Sequence, residues 1–206
     1  MNQGRPHRAM MHTENLIAKA CMGDGQAQGQ LVQLWYKRIY NYCYKFFMDH
    51  DMAMEAAQKT FISMYRNLQH LKDTASFKSW LYTIAVNQCR EEARKNNKQK
   101  VLPLMADSET EWDNQEKPEH SPDTPEQQYA RQELANLVQQ CLLELSDEQR
   151  EVIIMKEFEG LKFREIAEVL HISENTAKSR LYYGLSALKK IMERKKLTPE
   201  TLRHEH

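Results

Sequence analysis

Cysteine is scarce in this chain, and the four present, Cys21, Cys43, Cys89 and Cys141, stand far apart with no paired spacing. That excludes a C-x-x-C zinc or redox motif and a disulfide framework, leaving reduced core thiols in an intracellular protein as the expectation. Glycine and proline are also few, six of each in 206 residues. With Leu, Ala, Glu, Lys, Gln and Met plentiful, the composition predicts helices rather than sheet. No apolar run approaches the length of a membrane span, and the opening MNQGRPHRAMMHTEN lacks the apolar centre of a signal peptide. The expected location is the cytoplasm, with no insertion into the membrane.

Catalytic signatures are missing too. There is no Gly-rich phosphate loop and no helical H-E-x-x-H. His204-Glu205-His206 is a terminal tail and Asp49-His50-Asp51 a helix-breaking turn. No enzymatic activity, cofactor, metal or small-molecule substrate is therefore expected. Net charge is absent in sum but not in distribution: between Lys100 and Glu126, eight acids face only Lys100 and Lys117, a net of −6. The rest of the chain is basic by the same amount, concentrated near 78–100 and 178–196.

What is there is helical periodicity. Residues 13–98 read as four helices separated by Gly23-Asp24-Gly25, Asp49-His50-Asp51 and Lys72-Asp73-Thr74. The second carries Leu31, Leu34, Trp35, Ile39, Tyr42, Cys43 and Phe46 on one apolar face, and the third Ala57, Phe61, Met64, Tyr65 and Leu68. The fourth carries Phe77, Trp80, Leu81, Ile84, Ala85 and Cys89. These faces can close one core, to which both Trp35 and Trp80 are assigned. Residues 1–12 read as a disordered tail, within which Met10 and Met11 leave the start codon open. Residues 99–127, with Pro103, Pro118, Pro122, Pro125 and many acids, read as a flexible, self-repelling linker. A second helical domain occupies 128–196, with Ser146 as an N-cap, and 197–206 is a tail. The fold class is all-α, two small helical domains on an acidic tether.

The most specific stretch is EGLKFREIAEVLHISENTAKSRLYYGLSAL, 159–188, which spells a helix-turn-helix. Phe163, Ile166, Ala167 and Leu170 line the first helix, Ile172 plugs the corner, and Ser173 caps the second. Ala177, Leu181, Leu185 and Leu188 give the second helix its apolar stripe. Asn175, Thr176, Lys178, Ser179 and Arg180 face away from it, with donors suited to phosphates and base edges. An amphipathic pair with a solvated basic face would show the same periodicity, so the rest of the chain decides.

The segment SFKSWLYTIAVNQCREEARK, 76–95, resembles the promoter −10 recognition segment of the extracytoplasmic-function (ECF) group of sigma-70 factors. DMAMEAAQKTF, 51–61, resembles their polymerase-binding helix, and 142–188 their −35-binding domain. The resemblance implies region 2 at 13–98 and region 4 at 128–196. It implies polymerase contact through Glu55, Gln58, Phe61 and Ile62, and a −10 pocket between the 68–74 loop and the fourth helix. Asn87 is the implied base-reading amide, and Leu71, Lys72, Lys78, Arg90, Arg94 and Lys95 line the strand's path. On the −35 side it implies Arg164, Ser173, Asn175, Thr176, Lys178, Ser179, Arg180 and Tyr183. The implied partners are core RNA polymerase, through its β′ coiled coil and β flap, promoter DNA, and an anti-sigma factor.

Four positions depart from the family pattern. Gln28 stands where Phe is common, His171 where Gly turns the corner, Tyr183 where Arg is common, and Lys59 where an acid is frequent. A conventional helix-turn-helix regulator, binding DNA without polymerase, is the competing reading.

Overall fold

The computed structural model describes residues 5–99 and 125–197. The expected linker core and extreme termini, 100–124, 1–4 and 198–206, lie outside them. Helix α1, Arg5–Cys21, begins inside the stretch read as a tail. The chain reverses at Gly23, whose φ of 90° is open to glycine alone at little cost. The Asp24 carboxylate then accepts from the amides of Gln26 and Ala27 at 2.9 and 3.1 Å, starting α2, Gly25–Phe47. Gln28 is buried in this corner and donates through Nε2 to the Ala20 carbonyl at 3.0 Å. The amide thus adds a second donor to a terminal carbonyl of α1 that also accepts from Gly23 N at 3.1 Å.

Asp49 caps α3, His50–Asn67, by accepting from Met52 N at 2.8 Å. Ala53, Ala56 and Ala57 are fully buried on α3, small enough for α2 and α4 to lie close on either side. Two short 3₁₀ turns, Leu68–His70 and Thr74–Ser76, lead into α4, Phe77–Gln99. The core gathers Leu31, Ile39, Tyr42, Cys43 and Phe46 from α2, Met64 from α3, and Phe77, Leu81, Ala85 and Cys89 from α4. Trp35 belongs to it, edge-on to Phe77 at 5.6 Å, while Trp80 is only half-buried. Three residues read as core are outside it: Leu34 is 51% exposed, Tyr65 62%, and Ile84 is half-buried. Each sits at the margin of a broad apolar face where no second helix covers it. All four cysteines are free thiols, with Cys89 and Cys43 in sulfur contact at 3.6 Å.

The C-terminal region holds α5, Pro125–Leu143, and α6, Asp147–Ile153, the latter capped by Ser146. A π-helical turn at Ile154–Phe158 follows, then α7, Phe163–Leu170, and α8, Glu174–Arg194. His171 takes the left-handed conformation at φ 54°, ψ 46° that the corner demands, and Ser173 accepts from Thr176 N at 3.0 Å. The buried stripe of α8 differs by one residue from the reading above: Leu185 is 41% exposed, and Gly184 is buried in its place against Ile153. A side chain there would hold α8 away from α6. Among the described residues there is no strand, and no helix is long and apolar enough to cross a membrane.

The two helical regions do not stand apart. One continuous core runs from α2 and α4 into Val152, Ile154, Met155, Leu161, Ile166 and Val169. Tyr82 and Val86 of α4, outside the sequence-derived core, are buried here, and Tyr82 Oη donates to Glu159 Oε2 at 2.5 Å. The Arg150 guanidinium is buried across the seam, donating to the Phe46 carbonyl at 2.8 Å from one side and to Leu145 O and Asp147 Oδ1 on the other.

Candidate functional site

Three surfaces carry the residues the sequence singles out. On the first, Val32 and Tyr36 of α2 and Met54, Gln58, Phe61, Ile62, Tyr65 and Arg66 of α3 line an open groove. Tyr36 stacks on Phe61 at 5.9 Å and forms its floor. Ile62 is 44% exposed and Met54 45%, a concentration of bare apolar side chains that a lone helical bundle has no reason to display. Gln58, Phe61 and Ile62 therefore come together as expected. Glu55 does not join the lining; Lys59 draws it aside, with Nζ 2.5 Å from Glu55 Oε1 and 2.7 Å from Glu92 Oε1. These two carboxylates hold the Lys59 ammonium above its ordinary range. Val32, Tyr36, Met54, Tyr65 and Arg66 are groove residues that sequence reasoning missed. The exposed apolar positions 54, 62 and 65 on α3 were the available signal.

The second surface is the loop after α3 with the outer face of α4. Asp73 orders the loop by accepting from Ala75 N at 3.0 Å and Ser76 Oγ at 2.8 Å, and these bonds hold its carboxyl below the ordinary range. Leu71 tucks against the core and Lys72 is exposed. Trp80, Thr83, Asn87 and Arg94 recur along one side of α4, half-buried at the loop end and exposed beyond it. Asn87 and Arg94 thus share a free stripe with the neglected Trp80 and Thr83. The other predicted cations do not lie free on it. Arg90 turns toward the C-terminal region and makes a bidentate pair with Glu151, both bonds 2.7 Å, and Lys78 lies 3.5 Å from Glu165. Lys95 is bound to Glu91 and Glu92 at 2.8 and 3.1 Å. Glu151 is fully buried; burial pushes its carboxyl upward, with Arg90 opposing.

The third surface is α8 and the helix before it. Asn175, Thr176, Lys178 and Ser179 are exposed side by side, and the Ser173 and Thr176 hydroxyls are 2.8 Å apart at the helix start. Lys178 Nζ lies 5.8 Å above the Phe163 ring, within cation–π reach. Arg180 leans toward α6, 3.6 Å from Glu148, and Arg164 pairs along its own helix with Glu168 at 3.3 Å. Tyr183 is 63% exposed and packs edge-on against Tyr182, itself 72% exposed and missed in the sequence. Among the described residues no group of His, Cys, Asp and Glu is arranged to hold a metal ion.

An apolar groove on one bundle and a free basic recognition helix on a helix-turn-helix define a protein that docks on a partner and reads DNA. Comparison with known proteins makes the class specific. Residues 31–99 match the family described as Sigma-70 region 2, and residues 135–188 match Sigma-70, region 4. The chain is 30% identical over 180 residues to the ECF RNA polymerase sigma factor SigW of Bacillus subtilis, covering 87% of this chain and 96% of that one. It is 26% identical over 180 residues to the RNA polymerase sigma-H factor of Pseudomonas aeruginosa, covering 87% and 93%. In fold it is similar to CnrH, solved in complex with the cytosolic domain of CnrY, with TM-score 0.64, 22% identity, and 88% and 97% of the two chains covered. A further similar fold is the sigma factor RpoE of Bartonella quintana, solved with the anti-sigma factor NepR, with TM-score 0.62, 21% identity and coverage of 80% and 96%. The chain belongs to the extracytoplasmic-function group of the sigma-70 family, whose members bind core RNA polymerase and direct promoter-specific initiation.

Proposed function

We propose that this sigma factor docks on the polymerase β′ coiled coil through the α2–α3 groove, with Gln58, Phe61 and Ile62 at its centre. The observation that carries the reading is the groove itself, apolar and open between α2 and α3. The −10 strand lies along the 68–76 loop and the outer face of α4. Asn87 presents a donor and an acceptor to a base edge, while Lys72 and Arg94 attend the backbone, with Lys78, Arg90 and Lys95, each held by a carboxylate in this structure, at its edge. The −35 element meets α8 through Asn175, Thr176, Lys178 and Ser179, with Arg164, Ser173, Arg180 and Tyr183 at the margins. The β flap engages region 4. An anti-sigma factor that covers the α2–α3 groove is a further partner of this chain. The protein works in the cytoplasm beside the polymerase and supplies no catalytic chemistry of its own.

Reconstitution tests this directly. Purified protein is expected to co-elute with core polymerase and to direct transcripts whose yield depends on both promoter elements. Tight, polymerase-independent binding to a palindromic site would instead support a conventional regulator.

A further inference from the structure

Two phenol rings stand bare, side by side, on α8. Tyr182 and Tyr183 meet edge to face, with centroids 5.5 Å apart and planes at 75°, yet both remain mostly in solvent. They do not hold the helix in place. Ala177, Leu181 and Gly184, on the other side of α8, pack against the rest of the C-terminal region and do that. Neighbouring aromatic rings left in water on a folded protein mark a contact still to be made.

Their position on the helix indicates which contact. Tyr182 lies two turns beyond Asn175, and Tyr183 two turns beyond Thr176, so the pair prolongs the face on which Asn175, Thr176, Lys178 and Ser179 are exposed. Seven residues of helix rise about 10 Å, which is about three base-pair steps of duplex. The first turns of α8 and the tyrosines therefore meet successive parts of one DNA site.

The chemistry of the rings narrows the contact further. A phenol carries no charge with which to neutralise a phosphate. Nor can it stack in an intact duplex, where the major groove presents base edges and not base faces. The one apolar group at those edges is the C5-methyl of thymine. Rings set at 75° form an apolar corner, suited to a methyl, rather than a flat platform. We propose that Tyr182 and Tyr183 form a specificity-determining contact that selects thymine, by its methyl group, in the part of the −35 element facing the third turn of α8. Lys178 and Ser179 orient the helix on the preceding base pairs, and the tyrosines add a preference that hydrogen bonding alone does not supply. This inference deepens the −35 role proposed for α8 and rests on it.

The test uses the whole protein as holoenzyme with core polymerase. Duplex DNA selected by the holoenzyme from a randomised library supplies the probe. Each thymine of its −35 element is then replaced in turn by deoxyuridine, which pairs identically and lacks only the methyl. At one or two positions the replacement is expected to weaken binding about fourfold, the worth of one buried methyl. Tyr182→Ala with Tyr183→Ala is expected to abolish that penalty while leaving helical circular dichroism and affinity for core polymerase unchanged, because both side chains are exposed. Tyr182→Phe with Tyr183→Phe keeps the rings and is expected to retain the penalty. A −35 element without thymine overturns the proposal, as does deoxyuridine tolerated throughout or a penalty that persists in the alanine variant. A fall in core affinity of the alanine variant would assign the rings to the polymerase and overturns it as well. The underlying assignment of α8 fails separately: a Lys178→Ala holoenzyme would then depend on the −35 element as the parent does, whatever the tyrosines do.

Discussion

Gly184 of α8 lies so close to Ile153 of α6 that a β-carbon on it would stand 3.0 Å from Ile153 Cδ1 and 3.2 Å from Gln149 Cβ. Mid-helix glycine costs about 1 kcal/mol relative to alanine, so its presence marks a contact that outweighs propensity. The two helices it joins are α6 and α8, the latter proposed to read the −35 element. Gly184→Leu is expected to destabilise the protein by about 2–3 kcal/mol through overpacking. Gly184→Ala is expected to cost less, about 1 kcal/mol, because Ile153 can swing its terminal methyl and the helix gains propensity, while Gln149 Cβ, fixed to the α6 backbone, makes the two helices part slightly. Urea denaturation of the two variants measures the difference.

The α2–α3 groove predicts a separation between binding and folding. Ile62→Glu with Tyr65→Ala removes apolar surface that is exposed in the free protein, so stability is expected to change by less than about 0.5 kcal/mol. Affinity for core polymerase is expected to fall at least tenfold, about 1.4 kcal/mol. Titration of labelled protein with core enzyme checks this. Retained affinity would move the docking site elsewhere.

On the −35 side, Lys178 and Arg180 are two residues apart but differently placed. Lys178 is exposed, whereas the Arg180 side chain is only 26% exposed and turned toward Glu148. Lys178→Ala is expected to reduce −35-dependent transcription more than Arg180→Ala, by the order of a phosphate or base contact, about 1–3 kcal/mol. Equal losses would show that Arg180 leaves Glu148 when DNA arrives.

Acid should loosen the α3–α4 seam in a defined direction. Burial pushes the Glu92 carboxyl up, but the Lys59 and Lys95 ammoniums outweigh it and leave it below its ordinary value of 4.5. A depressed carboxyl contributes stability that is present above that ordinary value and lost as pH falls through the folded one. Lys59, raised in turn, contributes below its own ordinary value of 10.5 and loses this as pH rises through the folded one. Glu92→Gln is thus expected to cost about 1 kcal/mol at pH 7, a value discounted for the solvent that reaches Lys59. The cost should shrink as pH falls below 4.5 and through the lower folded value, so that it is smaller at an acidic pH than at pH 7. Denaturation midpoints of the pair at both pH values provide the check.

Local chemistry was legible without coordinates. Ser146 and Ser173 cap the helices they were expected to cap, and His171 turns left-handed where the corner requires it. Each of these depends on a few neighbouring residues and their backbone hydrogen bonds. Gln58, Phe61 and Ile62 met in one groove because consecutive turns of a single helix already aligned them. Leu34, Tyr65 and Leu185 were misread for the complementary reason: periodicity shows which side of a helix is apolar, but not how much of that side another element covers.

The amino-acid order alone therefore determined the helices, their caps, the corner of the helix-turn-helix and the family, all properties of short segments. Only tertiary structure decided that Tyr82 and Val86 are core, that Gly184 is a contact point, and that Arg90 faces Glu151 instead of solvent. Those facts depend on residues up to 77 positions apart, as between Tyr82 and Glu159. A charge in a sequence carries no record of the counter-charge that folding sets across from it.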